Sequence, residues 1–342
     1  MLQMNLFLSI WHCSLSFLGC SLNFLLIYVA VFKSPKAIRS YATLIINFAV
    51  TDFVECALDW FLQIRLMPAP GDLTLTYIMN GACKYISPFA CKFGASLYLH
   101  CFTHSIWSLL LSFGYRYYIL RHAALSRVML LKILVLIYMP SLLQGLTYWT
   151  TFVPREEILP IAKNLFPNYD LESESGVITG IVDVTNWAAA YGLTHMCIPV
   201  FPVYTAIFVL RHKIVKHLNE NTQMMAPETK AAHAQLLRAL TLQAFLPAVI
   251  GIGVFCYLIQ QSGLLISPIL EHGVFFTVIL MPTFAPLTYL CFVRPYRQFF
   301  SRILKGGVFQ RVTPSTMGST KVTKFDTVAI HSFGGTAIAA TN

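Results

Sequence analysis

The stretch "HSIWSLLLSFGYRYYILRH" (residues 104–122) runs apolar for most of its length and then ends in Arg116, Arg121 and His122. No acid stands beside Arg116. Such a guanidinium is understandable only if the apolar run ends there at a boundary, so the question is whether the boundary is a membrane. The whole chain answers it. Of 342 residues, 56% are hydrophobic and 11% are charged, against about 25% charged in a soluble domain. Apolar stretches of the ~20 residues that cross a bilayer as helix recur at about 8–32, 42–62, 91–115, 128–150, 185–210, 236–260 and 270–293, with short polar loops between them. The pattern predicts an all-α, polytopic membrane protein built as a bundle of seven transmembrane helices.

Seven spans put the two termini on opposite sides. Nineteen of the 24 basic residues fall in loop 33–41, segment 116–132, loop 211–238 and the tail after 293. Arg65, Lys84, Lys92, Arg155 and Lys163 lie on the other side, with most of the loop acids. Basic loops stay in the cytoplasm, so residues 1–7 are expected outside and the tail inside. No Lys or Arg precedes Lys33, so the first run lacks the basic front of a cleavable signal peptide and reads as a retained span. The net charge of +10 is explained by loops facing anionic lipid. It gives no reason to expect nucleic acid.

Polar residues inside spans are costly and need partners or a purpose. In "NFAVTDFVECALDW" (47–60), Asp52, Glu55 and Asp59 share one helical face and should face the bundle interior. That stripe reads either as a hydrogen-bonded polar core or as a switch or ion site. Prolines 140, 199, 202, 247, 282 and 286 lie inside spans, where each removes a backbone bond and kinks its helix. His100 and His104 stand four residues apart, a metal-compatible spacing, but no third ligand accompanies them. They read as hydrogen-bonded histidines in a polar cavity, and no metal or cofactor is expected. Six of the nine cysteines (Cys13, Cys20, Cys56, Cys101, Cys197 and Cys256) lie well inside spans as small packing residues. After the last span, "RPYRQFFSRILK" (294–305) separates Tyr296, Phe299, Phe300, Ile303 and Leu304 from Arg297, Arg302 and Lys305. That separation predicts a short amphipathic helix along the inner face. Residues 306–342, rich in Gly, Ser and Thr, are expected to be a disordered cytoplasmic tail.

Local patterns carry a resemblance to rhodopsin-like G-protein-coupled receptors. "NFAVTD" (47–52) resembles their span-two Asn-x-Ala-x-x-Asp, and Asn23 stands where they carry a span-one Asn bonded to that same region. Arg116–Tyr117 resembles the end of Asp-Arg-Tyr, "AFLP" (244–247) the Cys-Trp-x-Pro hinge, and "PLTY" (286–289) the end of Asn-Pro-x-x-Tyr. Cys91 lies 25 residues before Arg116, the family's separation. A closer resemblance, to nematode serpentine receptors of class delta, rests on "LQIRLMPAPG", "GACKYISPFAC", "HSIWSLLLSFGYRYYIL", "LLRALTLQAFLP" and "RPYRQF".

These resemblances imply a chemosensory receptor, not an enzyme, in the plasma or sensory ciliary membrane. Its partners would be a small-molecule ligand outside, membrane lipid, and a heterotrimeric G protein inside. They assign an activation switch to Arg116, Tyr117, Asp52, Asn23, Phe245, Pro247, Pro286 and Tyr289. Arg116 is expected at the cytoplasmic end of its span, within reach of the headgroups. They assign the ligand pocket to Tyr98, Leu99 and Phe102, with His195 from span five.

The chain also departs from the pattern. Tyr115 replaces the acid before Arg116, leaving Glu228 as a substitute, and Ala285 replaces the Asn before Pro286, which puts the family's sodium site in doubt. The second outer loop has no cysteine, so a local Cys83–Cys91 bridge is expected instead. Tyr98 stands where amine receptors have an Asp, which favours a neutral or weakly polar ligand. The rival functions are a transporter or channel using the Asp52/Glu55/Asp59 stripe, and a membrane hydrolase using His100 and His104. No inverted repeat supports the first, and chance spacing explains the second.

Overall fold

The computed structural model describes residues 2–34, 39–220 and 227–304. The expected disorder of 306–342 lies outside the described residues, as does the side chain of Glu228.

Helices α1 (Leu2–Phe32), α2 (Arg39–Leu62), α3 (Pro88–Ile119) and α4 (Arg127–Thr147) are continuous. The remaining spans are broken where proline withholds a backbone N–H. Span five is α6 (Trp187–Cys197) and α7 (Val200–Glu220), parted at Pro199. Span six is α8 (Pro227–Phe245) and α9 (Pro247–Gln261), parted at Leu246. Span seven is α10 (Pro268–Val278) and α11 (Leu280–Phe292), parted at Ile279. Pro282 cannot donate to the carbonyl of Val278, which is why α10 ends there. Pro140 and Pro286, by contrast, sit inside helices that continue past them. Among the described residues, six helical spans are long and apolar enough to cross a membrane. The seventh, α3, has 32 residues but carries Ser96, His100, Thr103, His104, Ser105, Ser108 and Ser112, all buried. It is polar because it is the central post, packed against α2, α4 and α7.

One end of the bundle is roofed by structure that the hydropathy pattern does not announce. Strands β1 (Ile64–Pro68), β2 (Leu75–Met79) and β3 (Val177–Ile181) form an antiparallel sheet in the order β1-β2-β3. Arg65 lies opposite Ile78, and Ile78 opposite Ile178. The turn between β1 and β2 places Gly71 at φ +72°, a left-handed conformation that favours glycine. Alternation divides the side chains between two faces. Ile64, Leu66, Leu75, Tyr77, Met79 and Ile181 join the helices' core, while Met67, Ile78 and Ile178 pack on Ile158 and Ala162 of α5 (Arg155–Leu165) and on Phe166 just past its end. The loops expected to be polar connectors are therefore a folded, two-faced cap. At the opposite end α12 (Arg294–Leu304) lies beside α1, with Tyr296 buried and hydrogen-bonded to Ser34, and Phe299 against Tyr28.

Candidate functional site

The α12 end is organised around Arg116. Only 2% of it is exposed, so the expectation that it reaches headgroups is corrected: it is enclosed. Its Nη1 donates to Nδ1 of His233 on α8 at 3.0 Å, and its guanidinium lies 4.7 Å from the centroid of the Tyr41 ring. Tyr115 and Tyr289 complete the surround. Nε and Nη2 make no hydrogen bond, so the Tyr41 ring face takes up part of the charge that an acid would otherwise neutralise. The partner that replaces the missing acid is thus a histidine on α8. An arginine can only donate, so His233 Nδ1 is the acceptor and its proton sits on Nε2. Tyr117 faces away from this cluster, beneath Arg121 and Lys213 of α7.

The bundle centre carries the next layer. Asn23 Nδ2 donates to the carbonyls of Gly19 and Pro282. This corrects the expectation that it bonds the span-two region, and the reason is Pro286. Without an N–H, Pro286 cannot serve the Pro282 carbonyl four residues earlier, and Asn23 supplies the missing donor from α1. The carboxylates of α2 are all buried, as their shared face requires. Asp52 accepts a long bond from Ser105, and Asp59 accepts from His12 at 2.8 Å and from Ser16 at 3.0 Å. Both Glu55 oxygens lack a partner. Phe245 is 58% exposed and so lies on the outward surface, not inside the bundle at the hinge. Pro247 opens α9. Pro286 and Tyr289 are buried.

Beneath the sheet, Cys83 and Cys91 are disulfide-bonded, with Cα atoms 5.1 Å apart. Tyr98 is buried with its ring 5.8 Å from Phe275 of α10, and its hydroxyl makes no hydrogen bond. His195 lies elsewhere, against α4: Trp107 Nε1 donates to its Nε2 at 3.0 Å, and its Nδ1–H donates to Gln144 Oε1 at 2.8 Å. The expected pocket therefore divides into two groups on different sides of α3, with Leu99 and Phe102 packed in the core beside them.

Several central residues were not anticipated. Arg65 is completely buried, bonded to Glu271 of α10 at 2.5 Å and to Glu174 of the loop before β3 at 2.8 Å, with Tyr169 stacked on its guanidinium. Burial, with Glu271 beside it, pushes the Tyr169 hydroxyl above its usual range. His12, Gln144 and His233 were missed because single polar residues in a greasy run or a loop have no periodicity. Arg65 had a signal: an arginine inside the apolar run IRLMP needs a buried acid.

Residues 8–302 match the family described as "Serpentine type 7TM GPCR chemoreceptor Srd". The chain is 62% identical over 302 residues to serpentine receptor class delta-19 of Caenorhabditis elegans, covering 88% of this chain and 89% of that one. It is 59% identical to class delta-18 of the same organism, over 88% of this chain and 89% of the relative. Among solved structures, squid rhodopsin superposes with a TM-score of 0.56 at 15% identity, covering 89% of this chain and 87% of the rhodopsin.

Proposed function

Since the chain belongs to the Srd class of serpentine, seven-transmembrane GPCR chemoreceptors, we propose that it carries a chemical signal across the plasma or sensory ciliary membrane. A small external ligand binds near the sheet end, and a heterotrimeric G protein engages the α12 end. In this reading residues 1–7 are outside and the chain after 293 is cytoplasmic. The ligand contacts are Tyr98, Leu99 and Phe102, and the switch runs through Asn23, Asp52, Pro247, Pro286 and Tyr289 to Arg116.

The observation that carries the reading is the closure of the α12 end by Arg116. Its bond to His233 ties α3 to α8, and α8 is joined to α9 only through the break at Leu246. A ligand that favours a packing with α8 swung away shifts the population by its differential affinity for the two packings. That packing uncovers the guanidinium for a signalling partner. The tyrosines around Arg116 repack as it opens.

Nucleotide exchange on candidate Gα subunits, in membranes holding the wild type or Arg116→Ala, tests the proposal. Exchange that depends on Arg116 supports it. Solute or proton flux that needs Glu55 and persists without G protein contradicts it. Epitope labels at both ends, probed in intact cells, test the orientation: detection of the amino terminus alone is expected.

A further inference from the structure

Spans five and six part from each other near the α12 end, leaving a cleft between α7 and α8 that reaches Phe292 of α11. We propose that this cleft holds an anionic phospholipid of the inner leaflet, with a phosphomonoester carried directly on glycerol and bound between Arg211 and Arg238. Only the choice of leaflet rests on the orientation given under the proposed function.

The cleft holds about 540 Å³, within the ~300–1,000 Å³ of small-molecule sites. Arg211 of α7 and Arg238 of α8 both line it, and both are exposed. Nε of Arg211 donates to Oγ1 of Thr241 at 3.3 Å, which fixes the guanidinium across the two helices and leaves its two Nη groups outside that bond. Thr241 stands three residues beyond Arg238, about 4.5 Å along the helix at 1.5 Å per residue. The two arginines therefore enter the cleft at nearly one level. Among the described residues neither has an acidic partner, and no Asp or Glu lines the cleft. Glu220, further along α7, is paired with Lys216. Two like charges in one cleft, with no anion from the protein, call for an anion from outside.

Depth and walls decide its source. No Lys or Arg stands between Lys163 and Arg211, nor between Arg238 and Arg294. These two arginines are thus the innermost basic residues of spans five and six, where the apolar runs meet the headgroups. Beside them the lining is apolar: Val215, Leu218, Leu237, Leu242 and Phe292. Leu242 is also exposed on the flank. A phosphate on glycerol brings its charge to this level and lays its first acyl carbons along those walls. A guanidinium pairs with phosphate through two parallel hydrogen bonds, and a phosphomonoester offers more charge to a pair of them than a phosphodiester does. The chain itself supplies no rival. Loop 221–226 has no charged residue, and 306–342 carries Arg311, Lys321 and Lys324 against Asp326 alone.

Native mass spectrometry of the full chain in detergent, titrated with phosphatidic acid, phosphatidylserine or phosphatidylcholine, tests this without any G protein. Its failure is therefore separate from failure of the receptor reading. Retention of phosphatidic acid is expected at a half-saturating concentration at least about fivefold below that of phosphatidylserine. Arg211→Gln and Arg238→Gln, exposed positions that bear the change without unfolding, should each raise that concentration about fivefold, the worth of one basic residue at an anionic surface. The double variant should hold the two anionic lipids alike. Arg297→Gln on α12 should change nothing, and an equal loss in that variant would mean diffuse attraction and overturn the proposal. A diazirine on the acyl chain should label peptides from Val215–Asn219 and Ala234–Leu242; labelling elsewhere contradicts the site. Displacement by glycerol 3-phosphate as readily as by the lipid would assign the arginines to a soluble phosphate. Preference for phosphatidylinositol 4-phosphate would place the bound phosphate outside the cleft. Either result overturns the proposal. So does equal retention of phosphatidic acid and phosphatidylcholine, and saturable binding of an acidic peptide, lost in the same variants, would then assign the arginines to a protein partner.

Discussion

Nη1 of Arg116 on α3 and Nδ1 of His233 on α8 lie 3.0 Å apart, a hydrogen bond that joins the two helices. The bond is charge-assisted on one side only, because the acceptor is a neutral imidazole. It is therefore weaker than an ion pair and does not leave an unpaired anion behind when it breaks.

His233→Ala should raise basal nucleotide exchange by a coupled Gα subunit about tenfold, since a hydrogen bond to a charged group contributes about 1.5–3 kcal/mol. His233→Glu, which restores an anion, should lower it below wild type. Unchanged basal exchange in both variants would show that the latch does not hold the inactive packing.

Asn23→Leu should lower stability by about 1–3 kcal/mol, the cost of leaving the Pro282 carbonyl without a donor in a buried setting. The paired change Asn23→Leu with Pro286→Ala returns an N–H four residues after Pro282, and should recover most of the loss. Thermal unfolding of the detergent-solubilised protein measures both. Absence of recovery would mean that the Asn23 amide serves something other than the proline's missing bond.

Arg65 joins β1 to α10 and to the loop before β3. Arg65→Ala leaves Glu271 buried and unpaired, a loss of about 3–5 kcal/mol, and should appear as failure to reach the cell surface. Adding Glu271→Gln removes the orphan charge and should restore surface expression in part. If Arg65→Ala alone is expressed normally, the cap does not depend on this centre.

Cys83→Ser should cost about 2.5 kcal/mol for a cross-link closing so short a loop, and Cys91→Ser the same. The double variant should be no worse than either single. Alkylation of both thiols in the wild type without reductant, followed by peptide mapping, would contradict the bridge.

The seven spans were legible because the bilayer acts on every residue of a crossing helix. A long average of apolar side chains is thus a strong signal. Proline positions marked the breaks in spans five to seven for the same local reason: a missing N–H is a property of one residue. The face shared by Asp52, Glu55 and Asp59 followed from helical periodicity alone.

What surrounds those groups was decided by the tertiary structure. Nothing near Arg116 in the chain points to His233, 117 residues away, and nothing near Asn23 points to Pro282, 259 residues away. The β-sheet cap was likewise hidden, because its three short strands are buried on both faces and β3 joins the β1–β2 hairpin from far along the chain. Phe245 shows the converse, a position whose motif match implied the interior while the folded chain leaves it exposed. A membrane span arises from each segment's own exchange with lipid and water, and a sequence records that directly. Partnership arises from which segments the packed bundle brings within hydrogen-bonding distance, and only the folded chain holds that information.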